Sequence, residues 1–269
     1  MDASTFRRFC SIAYDKAGIT LGPSKEALVA ARVGKRLRAL GMVTEKEYLA
    51  RLEEEEDGEE IIQFLDVIST NHTSFFREPD HFELLKRLIG DWKAAGKDKI
   101  RIWSAASSTG EEPYSIAFTM ADALDGLEVD WRILATDIST QVLKRAEAGV
   151  YLGQKFAGIA PGEQRRYFDH TAKSDTFVVK PAIRQHVAFR RLNLANPPYP
   201  MRGPFDLIFC RNVMIYFDQL VRQRLISAME KLLRPGGYLL IGHAEALSGI
   251  RMNLRMLRPS IFIKNEAEL

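Results

Sequence analysis

The amino-terminal part of the chain, residues 1 to about 90, carries apolar positions at helical spacing. One buried stripe is predicted by four apolar residues at intervals of three or four: Val29, Val33, Leu37 and Leu40. We expect Ser24 to cap the start of this helix and Gly41 to end it. Because strand patterns are missing here, the sequence predicts a small all-helical domain.

From Lys99 onward, short apolar runs alternate with helical stretches. The apolar runs are IRIWSAA (100–106), WRILATDI (131–138), FDLIFCRN (205–212) and YLLIGHAE (238–245). Helical patterns occupy residues 113–124, 140–149 and 219–233. This alternation predicts an α/β fold, a parallel sheet wrapped by helices in which ligands bind at the carboxyl ends of the strands. We place the boundary between the two domains between residues 78 and 98.

The composition fits a folded cytoplasmic protein. Its 269 residues are 46% hydrophobic and 27% charged, which allows a sizeable core. No apolar run approaches the roughly 18 residues of a membrane span, and MDASTFRRFCSIAYDKAG lacks the apolar centre of a secretory signal. A net charge of +3 is too small to indicate nucleic-acid binding by itself. Cys10 and Cys210 are far apart, so we expect reduced thiols rather than a disulfide framework.

A loop of small residues follows the first predicted strand. The segment SAASSTGEEPYS (104–115) contains one glycine and then a proline suited to the first turn of a helix. It matches neither GxGxxG nor a P-loop, which requires a lysine. Glu111 and Glu112 would repel a phosphate; they could accept hydrogen bonds from a cation, or simply complement the helix dipole. The loop therefore argues against a nucleotide phosphate as ligand.

Two other strand ends carry polar groups. Asp137 could accept both hydroxyls of a ribose, although an aspartate that caps the next helix is common. Asn212 can donate and accept at once, as recognition of adenine or of a carboxylate requires. For Phe217 we expect core packing. A ribose acceptor, a carboxylate-bearing loop and no phosphate site together point to S-adenosylmethionine, an adenosine with a sulfonium cation and an amino acid tail.

Other kinds of site are not predicted. The histidines, at positions 72, 81, 170, 186 and 243, show no metal-ligand spacing such as HExxH, and neither cysteine belongs to a CxxC pair, so no metal is expected. Cys210 lies on an apolar strand, which favours a buried, unreactive thiol. His243 follows a predicted strand and either lines the site or has a structural role.

Several of these motifs together resemble one family over nearly the whole chain. They are STNHTSFFRE (69–78), WSAASSTGEEPYS (103–115), ATDIS (135–139), FDLIFCRNVMIYF (205–217) and LLRPGGYLLIGHAE (232–245). The chain is similar to the CheR family, the chemotaxis receptor glutamate O-methyltransferases. The resemblance implies a class I, Rossmann-like methyltransferase domain with a small all-helical amino-terminal domain and a small β-subdomain insertion. The predicted domains are residues 1–78 (helical), 79–98 (linker and first helix of the catalytic domain) and 99–269 (methyltransferase, with the insertion at about 168–192).

The resemblance also implies site residues, residue by residue. The cofactor S-adenosylmethionine, with S-adenosylhomocysteine as product, is expected to contact Asn71, Thr73, Arg77, Glu111, Asp137, Asn193, Leu194, Asn212 and Val213. Glu112 is the alternative to Glu111. Arg77 and Tyr216 are expected to orient the acceptor carboxylate, which needs no general base because its ordinary pKa is about 4.3. Arg77 could instead form a surface ion pair with Glu78 or Glu83. Phe75 and Phe76 are expected to pack the linker onto both domains.

The implied partner is the cytoplasmic part of a methyl-accepting chemoreceptor, with no nucleic acid, no membrane insertion and a monomeric enzyme. We expect Arg32 and Arg36, on one flank of the second helix, to dock this acidic partner, although a solvated face is the simpler interpretation. The resemblance implies that the insertion tethers a receptor tail peptide by strand addition in some members of the family. The hairpin segment HTAKSDT (170–176) lacks the glycines of those members, which argues against tethering here. A domain that senses the cofactor without turnover, or a methyltransferase for another protein or a small molecule, remains the alternative.

Overall fold

The computed structural model of the chain describes residues 1–55, 58–69, 72–156, 159, 161–171 and 175–265. Within these ranges, the amino-terminal domain is all helical, as the sequence predicts. Its helices are α1 (Ala3–Ala17), α2 (Glu26–Leu40), α3 (Glu45–Glu54) and α4 (Glu59–Ile68). Phe9, Val33 and Phe64 have no exposed surface and form the centre of its core.

Local capping determines where these helices begin and end. The Asp2 carboxylate accepts from the backbone N–H groups of Ser4 and Thr5 at the start of α1. Gly41 ends α2 with a φ of 67°, a left-handed conformation that favours glycine, which confirms the predicted end. The predicted cap at Ser24 is wrong. Ser24 lies inside a short 3₁₀ turn, Pro23–Lys25, so that α2 begins only at Glu26.

The second domain is an α/β unit with a seven-stranded sheet within the described residues. The strands of this sheet are β1 (Lys99–Ala105), β2 (Asp130–Asp137), β6 (Val187–Arg191), β7 (Phe205–Cys210), β8 (Leu233–Ile241), β9 (Leu254–Arg258) and β10 (Ile261–Lys264). Three further strands form a small separate sheet: β3 (Val150–Leu152), β4 (Phe168–Thr171) and β5 (Thr176–Val179). The helices of this domain are α5 (Pro79–Ala94), α6 (Glu111–Ala123), α7 (Thr140–Ala148), α8 (Pro161–Tyr167), α9 (Pro181–Arg184) and α10 (Gln219–Leu232).

The strand order of the large sheet is β6-β2-β1-β7-β8-β10-β9. Strands β6, β2, β1, β7 and β8 run parallel, whereas β10 is antiparallel to β8 and to β9. The strand order therefore reverses between β1 and β7: β2 and β6 follow β1 on one side, and β8 follows β7 on the other side. Ligands of open α/β sheets bind at such a reversal, outside the carboxyl ends of the strands.

Side chains of β1 alternate between the two faces of the sheet, as a strand period of two requires. Ile100 and Ile102 belong to the core shared with α5 and α6, while Trp103 and Ala105 belong to the core shared with α10. Cys210 is fully buried and its thiol is free, and burial raises the pKa of that thiol well above its ordinary value. The expected burial of this thiol in the core is confirmed.

The predicted insertion is only partly right. The insertion expected at about 168–192 contains two apolar runs, FVV (177–179) and VAF (187–189), whose pattern predicts two strands of one small β unit. FVV does lie in the small sheet, whose order is β3-β5-β4, but VAF lies in β6, which pairs with β2 at the edge of the large sheet. Helix α9 separates the two runs and carries the chain from one sheet to the other. The third strand of the small sheet comes instead from residues before the predicted span.

Hydrogen bonds join the helical domain to the α/β domain at helix starts. The carboxylate of Asp66, on α4, accepts from the backbone N–H groups of Thr140 and Gln141 at the start of α7, at 3.1 and 3.3 Å. The hydroxyl of Tyr14, on α1, donates to Asp218, the cap of α10, at 2.6 Å. Since both carboxylates complement the positive end of a helix, they hold the two domains in one relative position.

None of the helices in the described part of the chain combines the length and the apolar character that a membrane-spanning segment needs.

Candidate functional site

A cleft of about 390 Å³ lies between the helical domain and the carboxyl ends of the parallel strands. One wall comes from Ile19 in the α1–α2 connection, Leu28 in the first turn of α2 and the end of α4. The opposite wall comes from the ends of β1, β2 and β7 and the segment after β6. The cleft therefore occupies the sheet reversal, and its size lies within the range of small-molecule sites, about 300–1,000 Å³.

The loop after β1 approaches the cleft with an irregular backbone. Ala106, Ser108 and Gly110 all have positive φ angles, of 64°, 48° and 95°. A Cβ atom added at Gly110 would lie 2.9 Å from the Cβ of Ala146, so this position requires glycine. Ala106 and Ser108 are strained instead, as functional loops often are.

Asp137 lies at the end of β2 and lines the cleft, as predicted. Its carboxylate accepts from the backbone N–H of Ser108 at 2.8 Å and from that of Ser139 at 2.9 Å. Burial raises the pKa of Asp137, while these two N–H groups oppose the rise. Ser139, not Asp137, caps α7, because its side chain accepts from Val142 N–H. The carboxylate therefore orders the first loop and keeps lone pairs for a ligand in the cleft.

The two neighbouring glutamates point to different sites, and the choice of Glu111 in the sequence analysis needs correction. Glu111 is fully buried and binds Lys155 at 2.9 Å and the Thr109 hydroxyl at 2.6 Å, in a second hollow beside the small sheet. Glu112 lines the cleft and accepts from the Ser104 hydroxyl at 2.7 Å. Consecutive positions on a helix lie about 100° apart, so only one of the two can face the cleft.

The linker from the helical domain packs against the α/β domain. Phe75 contacts aromatic rings of α6 and of the small-sheet unit, among them Phe118, Phe156 and Phe168, and Phe76 contacts Phe82 and Phe118. The expectation that these two residues pack on both domains is wrong, because neither belongs to the helical-domain core. Thr73 and Arg77 line the cleft. The predicted contact Asn71 lies outside the described residues.

Arg211 connects the linker to the floor of the cleft. Its guanidinium pairs with Glu78 at 2.9 Å and with Glu112 at 3.1 Å, and it also donates to the backbone carbonyl of Arg77. Burial acts to raise the pKa of Glu78, but Arg211 and its neighbours outweigh it and lower the pKa below its ordinary value. Burial raises the pKa of Glu112 despite the same arginine. Glu78 is therefore the better compensated of the two carboxylates, and Arg77 itself is not its surface partner.

Asn212 and Val213 follow β7 and line the cleft, as predicted. Asn212 has a φ of 58°, and its side-chain N–H donates to Glu78 at 3.3 Å. The segment is held by Glu245, which sequence reasoning missed. Its carboxylate accepts from the backbone N–H groups of Asn212, Met214 and Gly242 at 2.9, 2.7 and 2.6 Å. The GHAE motif thus supplies an anion that orders the loop after β7.

Asn193, Leu194 and Tyr216 also line the cleft, and two of them join the domains. The Asn193 side chain donates to the Lys16 carbonyl at 2.6 Å, and the Tyr216 carbonyl accepts from Thr20 N–H at 2.8 Å. The Tyr216 side chain is half-buried, whereas Phe217 is buried in the core, as expected.

Arg32 and Arg36 do not form the exposed docking surface that the sequence analysis expected. Arg36 makes two hydrogen bonds to the buried carboxylate of Glu60, at 2.9 and 2.7 Å, and Glu60 also accepts from the Tyr48 hydroxyl. Arg32 donates to the carbonyls of Ile68 and Ser69 at the end of α4. Both side chains hold α2 against α4, since helix-end carbonyls and a buried carboxylate require such donors.

Two histidines meet behind the cleft. His81, on α5, has no exposed surface, and the ring of His243 lies against it with the centroids 5.0 Å apart. Burial, with a contribution from Arg211, lowers the pKa of His81 to about 4. His81 is therefore uncharged at neutral pH. His243 does not line the cleft, which contradicts the first of its two expected roles.

Stability should fall on acidification because of His81. The unfolded chain takes up a proton on this residue below about pH 6.5, whereas the folded protein does so only near pH 4. We expect a loss of about 3.5 kcal/mol in the free energy of unfolding between these values, at about 1.4 kcal/mol per pKa unit. Urea unfolding at several pH values checks this: His81→Asn should flatten the slope, and His170→Asn, at an exposed histidine, should not.

Comparison with known proteins agrees with this geometry. The family model described as "CheR methyltransferase, SAM binding domain" matches residues 71–263, and "CheR methyltransferase, all-alpha domain" matches residues 4–69. The chain belongs to the CheR methyltransferase family. The predicted family and fold class are thereby confirmed, and the cofactor of this family is S-adenosylmethionine, as expected.

Curated relatives of the CheR family cover most of the chain. A chemotaxis protein methyltransferase of Salmonella typhimurium is 41% identical over 91% of this chain and 84% of its own length. That of Escherichia coli is 39% identical over 96% of this chain and 89% of its own length, and that of Borreliella burgdorferi is 37% identical over 96% and 93%. The chain is thus an S-adenosylmethionine-dependent chemotaxis methyltransferase by family.

The cleft of this CheR protein fits that cofactor. Asp137 and Glu112 present carboxylates to it, which suits ribose hydroxyls and the cationic part of the ligand.

We expect Glu112→Gln to weaken binding of S-adenosylhomocysteine about 10- to 100-fold, the range for a hydrogen bond to a charged group. Glu111→Gln should change binding less than threefold. Calorimetric titration of both variants checks the assignment, and equal losses would contradict it.

Proposed function

We propose that the protein transfers a methyl group from S-adenosylmethionine to glutamate side chains on the cytoplasmic helices of chemoreceptors, which forms glutamyl methyl esters. The observation that carries the proposal is the joint position of Arg77 and Tyr216, which line one cleft with Asp137 and Glu112. This arrangement offers a cation and a hydroxyl to an acceptor anion on the same surface that offers carboxylates to the cofactor.

The chemistry asks little of the protein beyond positioning. A glutamate acceptor is already ionised at neutral pH, since its ordinary pKa is about 4.3, so no general base is needed. The cofactor supplies an activated methyl group. Arg77 can hold the acceptor carboxylate through its guanidinium, and Tyr216 can donate to the same carboxylate. Alignment of this kind lowers a barrier by several kcal/mol, with an upper range of about 7–11 kcal/mol.

Receptor docking requires cations other than Arg32 and Arg36. Lys25, Lys35 and Arg38 are exposed on or beside α2, and Lys25 also lines the cleft. These residues can attract an acidic helix to the mouth of the cleft. The double variant Lys35→Glu/Arg38→Glu should slow receptor methylation and leave binding of S-adenosylhomocysteine unchanged. An equal methylation rate would remove these two residues from the docking surface.

The function is tested by incubating the protein with receptor cytoplasmic fragments and cofactor labelled in the methyl group. We expect base-labile label on receptor glutamates, located by mass spectrometry, and none with a fragment whose glutamates are replaced by alanine. Binding of the cofactor without any transfer would indicate a sensing module instead. Base-stable label would indicate a methyltransferase of different specificity.

A further inference from the structure

A group of ligating side chains lies behind the cleft, outside its lining. Glu78 ends the linker, His81 lies in the first turns of α5, and His243 follows β8. One atom from each, a carboxylate oxygen or an imidazole nitrogen, lies within 4.8 Å of the other two. Short metal-ligand spacings in the sequence do not predict this group, because His81 and His243 are separated by most of the α/β domain.

The distances are close to those of a coordination sphere. His81 Nδ1 lies 3.5 Å from Glu78 Oε2, and His243 Nε2 lies 4.0 Å from the same oxygen. Ligands in a tetrahedral site with bonds of about 2.0–2.1 Å are about 3.3 Å apart, so small side-chain movements would suffice. Asp80 Oδ1, at 3.1 Å from His243 Nε2, can provide a fourth ligand or hold a water there.

His81 is also arranged as a ligand. Its side chain has no exposed surface, yet Nδ1 has no hydrogen-bond partner within the described part of the chain. Its other nitrogen, Nε2, lies 2.9 Å from the hydroxyl of the buried Ser260. Metal-binding histidines are usually held in this way through the nitrogen that does not bind the metal. An orphaned buried nitrogen is costly, and a cation would satisfy it.

We propose that Glu78, His81 and His243 form a binding site for a divalent transition-metal cation of the Zn²⁺ class. Two imidazoles and a carboxylate are ligands that suit such an ion. The ion has access through a surface hollow that Asp80 and His243 line, together with Arg87 and Arg258.

The site is connected to the cofactor cleft through Glu78. The oxygen that would bind the cation, Oε2, accepts from both Nε and Nη2 of Arg211, at 3.1 and 2.9 Å. A cation there competes with Arg211, which lines the cleft and also pairs with Glu112. Since the two positive groups share one oxygen, the metal and the cofactor should bind antagonistically.

Direct metal binding tests the proposal. Full-length protein freed of metal by a chelator is titrated with Zn²⁺ in competition with a chromophoric chelator. We expect one equivalent to bind, with at least tenfold weaker binding in His243→Ala and unchanged binding in the matched controls His170→Ala and Cys10→Ser. His243 is about half exposed, so its truncation should leave the fold intact, which circular dichroism verifies.

Three results would overturn the proposed metal site. Failure of the wild-type protein to bind Zn²⁺, or equal binding by His243→Ala, overturns the site. Anomalous diffraction at the zinc edge should place the ion between the three side chains, and a peak elsewhere also overturns it. None of these measurements uses methyl transfer. The metal site can therefore be disproved while the proposed function stands, and the proposed function can be disproved while the metal site stands.

Discussion

Arg211→Met should lower the free energy of unfolding by about 3–5 kcal/mol, the range for a buried ion pair that loses one partner. The Arg211 side chain is 1% exposed, and its removal leaves the carboxylates of Glu78 and Glu112, each 13% exposed, without their counter-charge. Methionine keeps most of the side-chain volume, so the loss reports on charge rather than on a cavity. Urea unfolding at neutral pH measures it.

Two further variants separate this explanation from a general effect of the substitution. Arg132→Met removes an arginine that is 55% exposed and lies 3.8 Å from Asp130, and it should cost less than about 1 kcal/mol. The triple variant Arg211→Met/Glu78→Gln/Glu112→Gln, in which both carboxylates are neutral, should regain part of the lost stability. A single-variant loss below 1 kcal/mol would show that Arg211 does not compensate these two charges.

Arg77→Ala should lower kcat/KM for receptor methylation on the order of 100-fold, as loss of one preorganised donor does in other enzymes. Arg77 is half-buried and donates to the His72 carbonyl at 3.0 Å, so its guanidinium stays near the cleft. The melting temperature should stay near that of the wild type. Steady-state kinetics with varied cofactor and with varied receptor measure the effect.

The kinetic pattern shows which ligand Arg77 contacts. A fall in kcat with unchanged binding of S-adenosylhomocysteine places Arg77 on the acceptor, while a rise in the cofactor KM places it on the cofactor tail. Arg87→Ala, at an exposed arginine of α5, is the matched control and should leave both parameters within twofold. Wild-type kinetics in Arg77→Ala would exclude the proposed role.

The fold was predictable from the sequence because hydrophobic period and strand ends are local signals. Alternating apolar runs revealed the parallel strands, and the polar residues after them, such as Asp137 and Asn212, lie in the cleft since parallel strands end at one edge. The strand in residues 187–191 was misassigned because pairing is a long-range property. FVV and VAF look like neighbours in a hairpin until α9 is seen to lie between them.

The errors at the site have physical causes of the same kind. Glu111 and Glu112 are adjacent and chemically identical, and only the rotation of α6 decides which one faces the cleft. Arg36 resembles an exposed cation until Glu60, on another helix, is placed beside it. A run of charges or the flank of a helix is a property of a single secondary-structure element. An ion pair depends on the relative position of two elements.

Residues that organise the site without entering a recognisable spacing were also missed. Glu245 accepts three backbone N–H groups around the loop after β7, and the only sequence signal was its place in GHAE, shortly after a strand. A carboxylate just beyond a parallel strand could have been examined as a loop clamp as well as a ligand.

The contacts of Asp66 and Tyr14 with the starts of α7 and α10 matter for experiments that divide this enzyme into fragments. The wall that contains Ile19 and Leu28 belongs wholly to the amino-terminal helices. A fragment that begins at the linker would keep the sheet and its sequence motifs but lose the helical wall of the cleft. Measurements on the isolated α/β domain would therefore describe an incomplete cleft. Binding and activity should be measured on the whole chain.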